Sequence, residues 1–99
     1  MISIETTAGF DDWLRGLRDR QAHGRILARI ARIRDRGLFG DVRSVGGPVR
    51  ELRIDYGPGY RVYFLQRDKT LVLLLCGGDK GSQNRDIETA KALAKGLEQ

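Results

Sequence analysis

The 99-residue chain is poor in the residues that build covalent staples and metal centres. It has one cysteine, Cys76, and one histidine, His23. A lone cysteine excludes an internal disulfide framework, and the two residues together cannot make a Cys/His metal cluster. Long hydrophobic runs are also missing. The longest, Leu71 to Cys76, has the length of a strand, far below the ~18–20 residues that span a bilayer as a helix. Met1 to Thr7 has neither the basic start nor the apolar core of an export signal. The expectation is a cytoplasmic protein with no metal, no other cofactor and no membrane partner. Residues 1–99 should form a single domain, because two cores of ~50 residues each would need staples that this chain lacks. A P-loop, a Ser/His/Asp set and a carboxylate cluster for two metals are absent too. Any catalysis must therefore rest on Arg, Lys, Tyr and Asp.

What the chain has in quantity is arginine. Eighteen Lys+Arg face thirteen Asp+Glu, a net charge of +5, and fourteen of the eighteen cations are Arg. The excess is concentrated in residues 13–67, which carry thirteen Arg and five acids. Arg binds phosphate through a bidentate fork and stacks on bases. A polyanionic partner is one reading: nucleic acid, a ribosome or an acidic protein. An ordinary soluble domain from an Arg-rich proteome is the other.

Periodicity predicts the elements. Ile2 and Ile4 alternate with Ser3 and Glu5, as in a short strand. Thr7 can cap a helix with Phe10, Trp13, Leu14 and Leu17 on one face, and Asp11 and Asp12 suit its first turn. The pattern resets around Ala22-His23-Gly24. A second helix then carries Ile26, Leu27, Ile30 and Ile33, and Gly37 ends it. The segment from Leu38 to Pro48 is Gly-rich and loop-like, with room for a short strand near Val42 to Val45. Three strands follow, Val49–Asp55, Tyr60–Gln66 and Thr70–Cys76, separated by the turns Gly57-Pro58-Gly59 and Arg67-Asp68-Lys69. Gly77-Gly78 should break the last strand. Ser82 or Asn84 starts a final helix containing Ile87, Ala90 and Leu97. The order is β-α-α-β-β-β-α, an α+β fold in which a helical hairpin and a C-terminal helix pack on an antiparallel sheet.

Alternation within the central hairpin assigns its faces. Leu52, Ile54, Val62 and Phe64 point to the helices. Glu51, Arg53 and Asp55 share the opposite face with Arg61, Tyr63 and Leu65. A turn centred on Gly57 sets Arg53 directly across from Arg61, with Cβ atoms ~4.5–5.5 Å apart, a spacing at which like charges repel. Either a bound anion or the neighbouring Glu51 and Asp55 must compensate them. This face is expected to be open, and Lys80, at the start of the final β-to-α loop, should lie at its edge. On the second helix Arg25, Arg29, Arg32 and Arg36 form one cationic stripe, which is either solvated surface or a contact for RNA or the ribosome. His23 reads as a turn residue, and Cys76 as a small buried hydrophobe.

The segments Glu51-Leu52-Arg53-Ile54, Gly57-Pro58-Gly59-Tyr60-Arg61-Val62-Tyr63-Phe64 and Gly77-Gly78-Asp79-Lys80-Gly81-Ser82-Gln83, followed by Asp86-Ile87 and Ala90, resemble the HigB-like addiction module killer toxins. These are also called phage-derived Gp49-like proteins and belong to the RelE/ParE superfamily. Phe10, Trp13-Leu14 and Gly37-Leu38-Phe39-Gly40-Asp41 fit as well, so the resemblance covers nearly the whole chain. It implies a type II toxin paired with a helix-turn-helix antitoxin encoded beside it, with operator DNA bound only through that antitoxin. It also implies ribosome-dependent cleavage of mRNA without metal. By the resemblance Arg61 falls on a catalytic, phosphate-binding arginine, Arg53 near a strand lysine, and Lys80 near a basic residue after the last strand. Ser82, Gln83 and Asn84 occupy the stretch where some relatives carry a tyrosine or histidine, which leaves Tyr63 as the candidate substitute. Arg50 and Gln83 join the helix arginines as expected RNA or ribosome contacts. The alternatives are a ParE-like gyrase inhibitor, which generally lacks the basic catalytic set, and a non-catalytic nucleic-acid-binding module of the same fold.

Overall fold

Specific caps set the junctions of the helical hairpin. In the computed structural model, which describes residues 1–97, strand β1 (Ser3–Thr6) leads into helix α1 (Ala8–Gly16). Thr7 makes the junction. Its Oγ1 accepts from the Phe10 N–H at 3.0 Å and donates to the Leu75 carbonyl at 2.6 Å. Helix α2 (Arg20–Arg36) starts earlier than the hydrophobic pattern suggests. Asp19 caps it by accepting from the Gln21 and Ala22 N–H groups, so His23 and Gly24 lie within the helix and not in the joint. An exposed glycine weakens a helix by only ~1 kcal/mol, and burial of Ala22 and Ile26 outweighs that. Gly37 closes the helix in the left-handed conformation, as expected.

Four strands follow: β2 (Val42–Gly46), β3 (Val49–Ile54), β4 (Tyr60–Arg67) and β5 (Leu71–Asp79). A short 3₁₀ turn over Lys80–Ser82 leads into helix α3 (Gln83–Leu97). The sheet order is β1-β5-β4-β3-β2. Strands β2 to β5 form an antiparallel meander, and the short segment near Val42 is a full strand on its edge. The first strand departs from the antiparallel expectation. It pairs parallel with β5, Ser3 opposite Leu71 and Thr6 opposite Leu74, because the α1–α2 hairpin crosses the sheet between β1 and the meander. Among the described residues no helix is long and apolar enough to cross a membrane.

Strand β5 also runs through Gly77-Gly78 and does not break there. Both glycines are needed because partners crowd the strand from both sides. A Cβ on Gly77 would run into the Trp13 ring, and one on Gly78 into the Asp86 carboxylate and Ser82 Oγ. Hydrophobic side chains cover both faces. Phe10, Ile26, Ile30 and Ile33 from α1 and α2 pack on Leu52, Ile54, Val62, Phe64, Val72 and Leu74. On the other face Ala90 and Ala94 of α3 pack on Val49, Tyr63, Leu65 and Leu75. A bulge in β5 opposite Tyr63/Phe64 leaves Leu75 unpaired and turns both Leu75 and Cys76 to the α3 side, while Leu74 faces α1 and α2. Helix α3 thus covers most of the face expected to be open and leaves the Arg53–Arg61 end at its margin.

Candidate functional site

The β3–β4 hairpin sets the geometry. Glycines with positive φ at Gly57 and Gly59 close the turn, and the register places Arg53 directly opposite Arg61. The two arginines, with Asp41, Ile54, Asp55 and Gly59, line a shallow cleft of about 290 Å³. Lys80 stands at its rim: a Cβ on Gly59 would lie 3.5 Å from the Lys80 Cβ. The two arginines thus share one cleft, and the backbone that carries Lys80 passes beside it, although the three residues come from β3, β4 and the segment after β5.

The two arginines differ in environment. Arg53 keeps 29% of its side chain exposed. Arg61 is 5% exposed, in contrast to its expected place on an open face, because α3 and its leading turn pack beside it. Its counter-ion is Glu51, which is 1% exposed. Arg61 Nη1 donates to Glu51 Oε1 at 3.2 Å, and Arg53 Nε stands 3.9 Å from the same oxygen. The second carboxylate oxygen accepts from the Tyr63 hydroxyl at 3.1 Å and from Gln83 Nε2 at 2.8 Å. Four partners answer the desolvation of one buried carboxylate, as such burial requires. Compensation by neighbouring acids, one of the two possibilities left by the sequence, thus applies to Arg61 through Glu51. Asp55 is exposed at the cleft wall.

Tyr63 is fully buried. Burial, then the charge and hydrogen bond of Glu51, push its hydroxyl well above the usual tyrosine range. Behind Lys80, Asp79 caps the 3₁₀ turn by accepting from the Gly81 and Ser82 N–H groups. Ser82 Oγ accepts from the Asp79 N–H at 3.2 Å and donates to the buried carboxylate of Asp86. Periodicity alone gave no signal that Glu51 and Asp86 would be buried acids, since both positions read as ordinary polar ones.

The expected RNA or ribosome contacts separate into two groups. Arg32 and Arg36 are exposed on α2. Arg25 is exposed too and stacks over the Tyr56 ring at 4.6 Å, beside a second depression of about 250 Å³ that it lines with Arg29, Arg32 and Asp55. The others are engaged within the fold. Arg29 donates to the carbonyls of Arg53 at 2.6 Å and Phe39 at 2.8 Å, and burial lowers its pKa. Arg50 lies over Phe39 and Phe64 on the α1–α2 side of the sheet. Gln83 is tied to Glu51.

Residues 12–95 match the model of the family described as phage derived protein Gp49-like (DUF891). The chain belongs to the Gp49-like family. It is 51% identical over 96 residues to an uncharacterized protein of Haemophilus influenzae, covering 97% of this chain and 96% of that one. Its fold is similar to the solution structure of the conserved hypothetical protein HP0894 from Helicobacter pylori. That match has a TM-score of 0.55 and 22% identity, and covers 82% of this chain and 97% of that one. These likenesses agree with the α+β arrangement of a Gp49-like chain.

Proposed function

We propose that this Gp49-like protein is the toxin of a type II toxin–antitoxin module, a HigB-like endoribonuclease that cuts mRNA on the ribosome and so inhibits translation. The observation that carries the reading is the opposed Arg53–Arg61 pair at a polar cleft, with Lys80 at its rim. Membership of the Gp49-like family and the basic face of α2 support it.

The chemistry that suits this inventory is attack of the mRNA 2′-hydroxyl on its own 3′-phosphate. The new bond closes a 2′,3′-cyclic phosphate, and the bond to the 5′-oxygen of the next nucleotide breaks. The hydroxyl proton leaves and another reaches the departing oxygen. In this scheme Arg61 and Arg53 hold the non-bridging oxygens as charge builds on them. Lys80 stands beside the leaving group and gives it a proton. Asp41 or Asp55, both lining the cleft, accepts the proton from the 2′-hydroxyl. Tyr63, buried against Glu51, supports the site and does not touch substrate.

The test is primer extension on translated mRNA with purified ribosomes, using EDTA-treated toxin returned to standard buffer. Cleavage that needs ribosomes and survives EDTA treatment is expected. No cleavage, with supercoiling by gyrase blocked instead, would replace this reading with the gyrase inhibitor. Neither effect, with nucleic acid still bound, would leave a binding module.

A further inference from the structure

We infer that Glu51 is the positioning residue of the cleft: its carboxylate sets the orientation of the Arg61 guanidinium and ties the Lys80 segment to the arginine pair. The inference rests on the endoribonuclease reading for its kinetic consequence, but not for its geometry. Buried carboxylates are costly, and a mere counter-ion for the arginines need not be buried when an exposed acid such as Asp55 stands two residues from Arg53. Glu51 is instead at the meeting point of three elements. It lies on β3, receives Arg61 and Tyr63 from β4, and receives Gln83 from the start of α3.

Two consequences follow from those contacts. Arg61 Nε is buried without a hydrogen-bond partner among the described residues, so the bond from Nη1 to Glu51 is what fixes the rotation of the guanidinium plane. A fork held this way offers its remaining edge to the cleft that Arg61 lines. Gln83 directly follows the Lys80–Ser82 turn, so its 2.8 Å bond to Glu51 fixes the distance between that turn and the arginines. The same carboxylate therefore ties Arg61 to the backbone segment that carries Lys80, which comes from a different part of the chain. Misplacement of a reacting group by ~1 Å can cost about 10²-fold in rate.

Two measurements on the full chain test this. In ribosome-dependent cleavage Glu51→Gln, which keeps the volume and loses the charge, should lower kcat by about 10²-fold while the ribosome concentration at half-saturation stays unchanged. Loss through poorer docking would move the second quantity. In ¹⁵N-arginine side-chain NMR the wild-type Arg61 should show two separate Nη signals from restricted rotation, and Glu51→Gln should merge them. Wild-type cleavage matched by Glu51→Gln would overturn the inference. So would a single averaged Nη signal for Arg61 in the wild type, a result that needs no variant to fold. If the wild-type protein does not cut on ribosomes, the endoribonuclease reading fails, while the two Nη signals still decide whether Glu51 orients Arg61.

Discussion

Arg61 carries two roles that a single substitution cannot separate unless the replacement is chosen with care. Arg61→Ala removes the proposed phosphate contact and also leaves Glu51 buried beside an empty space. Breaking a buried pair in this way costs on the order of 3 kcal/mol, far more than the ~0.5 kcal/mol of an exposed position. Arg61→Lys keeps the charge but loses the planar fork. It should therefore stay closer to the wild type in thermal denaturation, yet lose about 10²–10³-fold in cleavage, as for a missing preorganised donor. Equal destabilisation by both substitutions would show that the fork itself holds the fold. Cys76 is a second residue-scale case. Burial, reinforced by the charge of Asp86, pushes its thiol up to about 11. The thiolate fraction near neutral pH then falls about 10²-fold. The greater nucleophilicity of the more basic thiolate offsets part of this, so a thiol-disulfide reagent at pH 7 should react about 10-fold more slowly than with an unperturbed thiol. At this scale the Arg53–Arg61 opposition is legible in the sequence, because the centre of a hairpin turn fixes its register. The burial of Arg61 and Glu51 is not, since it depends on where α3 packs, more than twenty residues further along the chain.

At the scale of the elements, glycines show how the same substitution can have opposite signs. Gly24 lies inside α2 with nothing within 4 Å of an added Cβ. Gly24→Ala should therefore stabilise the protein by ~0.5–1 kcal/mol. Gly78→Ala gains a similar ~0.4–1 kcal/mol from the unfolded chain. Its Cβ, however, meets the Asp86 carboxylate and Ser82 Oγ, and overpacking of that kind costs ~1–3 kcal/mol. The second effect is larger, so Gly78→Ala should lower the denaturant midpoint while Gly24→Ala raises it. A rise for both would mean that Asp86 and the Lys80–Ser82 turn can shift freely. The existence and type of the helices and of the three long strands are legible from periodicity. The start of α2 is not, because an Asp19 cap, and not the first apolar residue, decides it. Nor is the continuation of β5 through Gly77-Gly78, because the reason for those glycines lies in Trp13 and Asp86, which approach from distant parts of the chain.

At the scale of the whole molecule, the basic charge has two destinations. Arg29 and Arg50 are spent on internal carbonyls and aromatic rings, whereas Arg32 and Arg36 remain on the surface of α2. Only the second kind can release counterions from a polyanion. Arg32→Ala should weaken ribosome binding and make its logarithmic salt slope shallower by about 0.7–0.9 per lost phosphate contact, with little change in the rate of cleavage once bound. An unchanged slope in a binding titration against salt would assign that surface to solvent alone. If the proposed toxin role holds, an adjacently encoded antitoxin should co-purify with this chain at moderate salt, and no complex at micromolar concentrations would count against that pairing. The central claim is that the arginine pair performs RNA cleavage, and Arg53→Ala tests it most directly. Arg53 is partly exposed and Glu51 keeps Arg61, Tyr63 and Gln83 when it is lost, so the cost in stability should be about 1 kcal/mol, less than for Arg61→Ala. The measurement is primer extension on translated mRNA, comparing wild type with Arg53→Ala at equal ribosome occupancy. The account predicts clear cleavage by the wild type and a loss of about 10²–10³-fold in the variant; cleavage of equal rate at the same positions by both would contradict it.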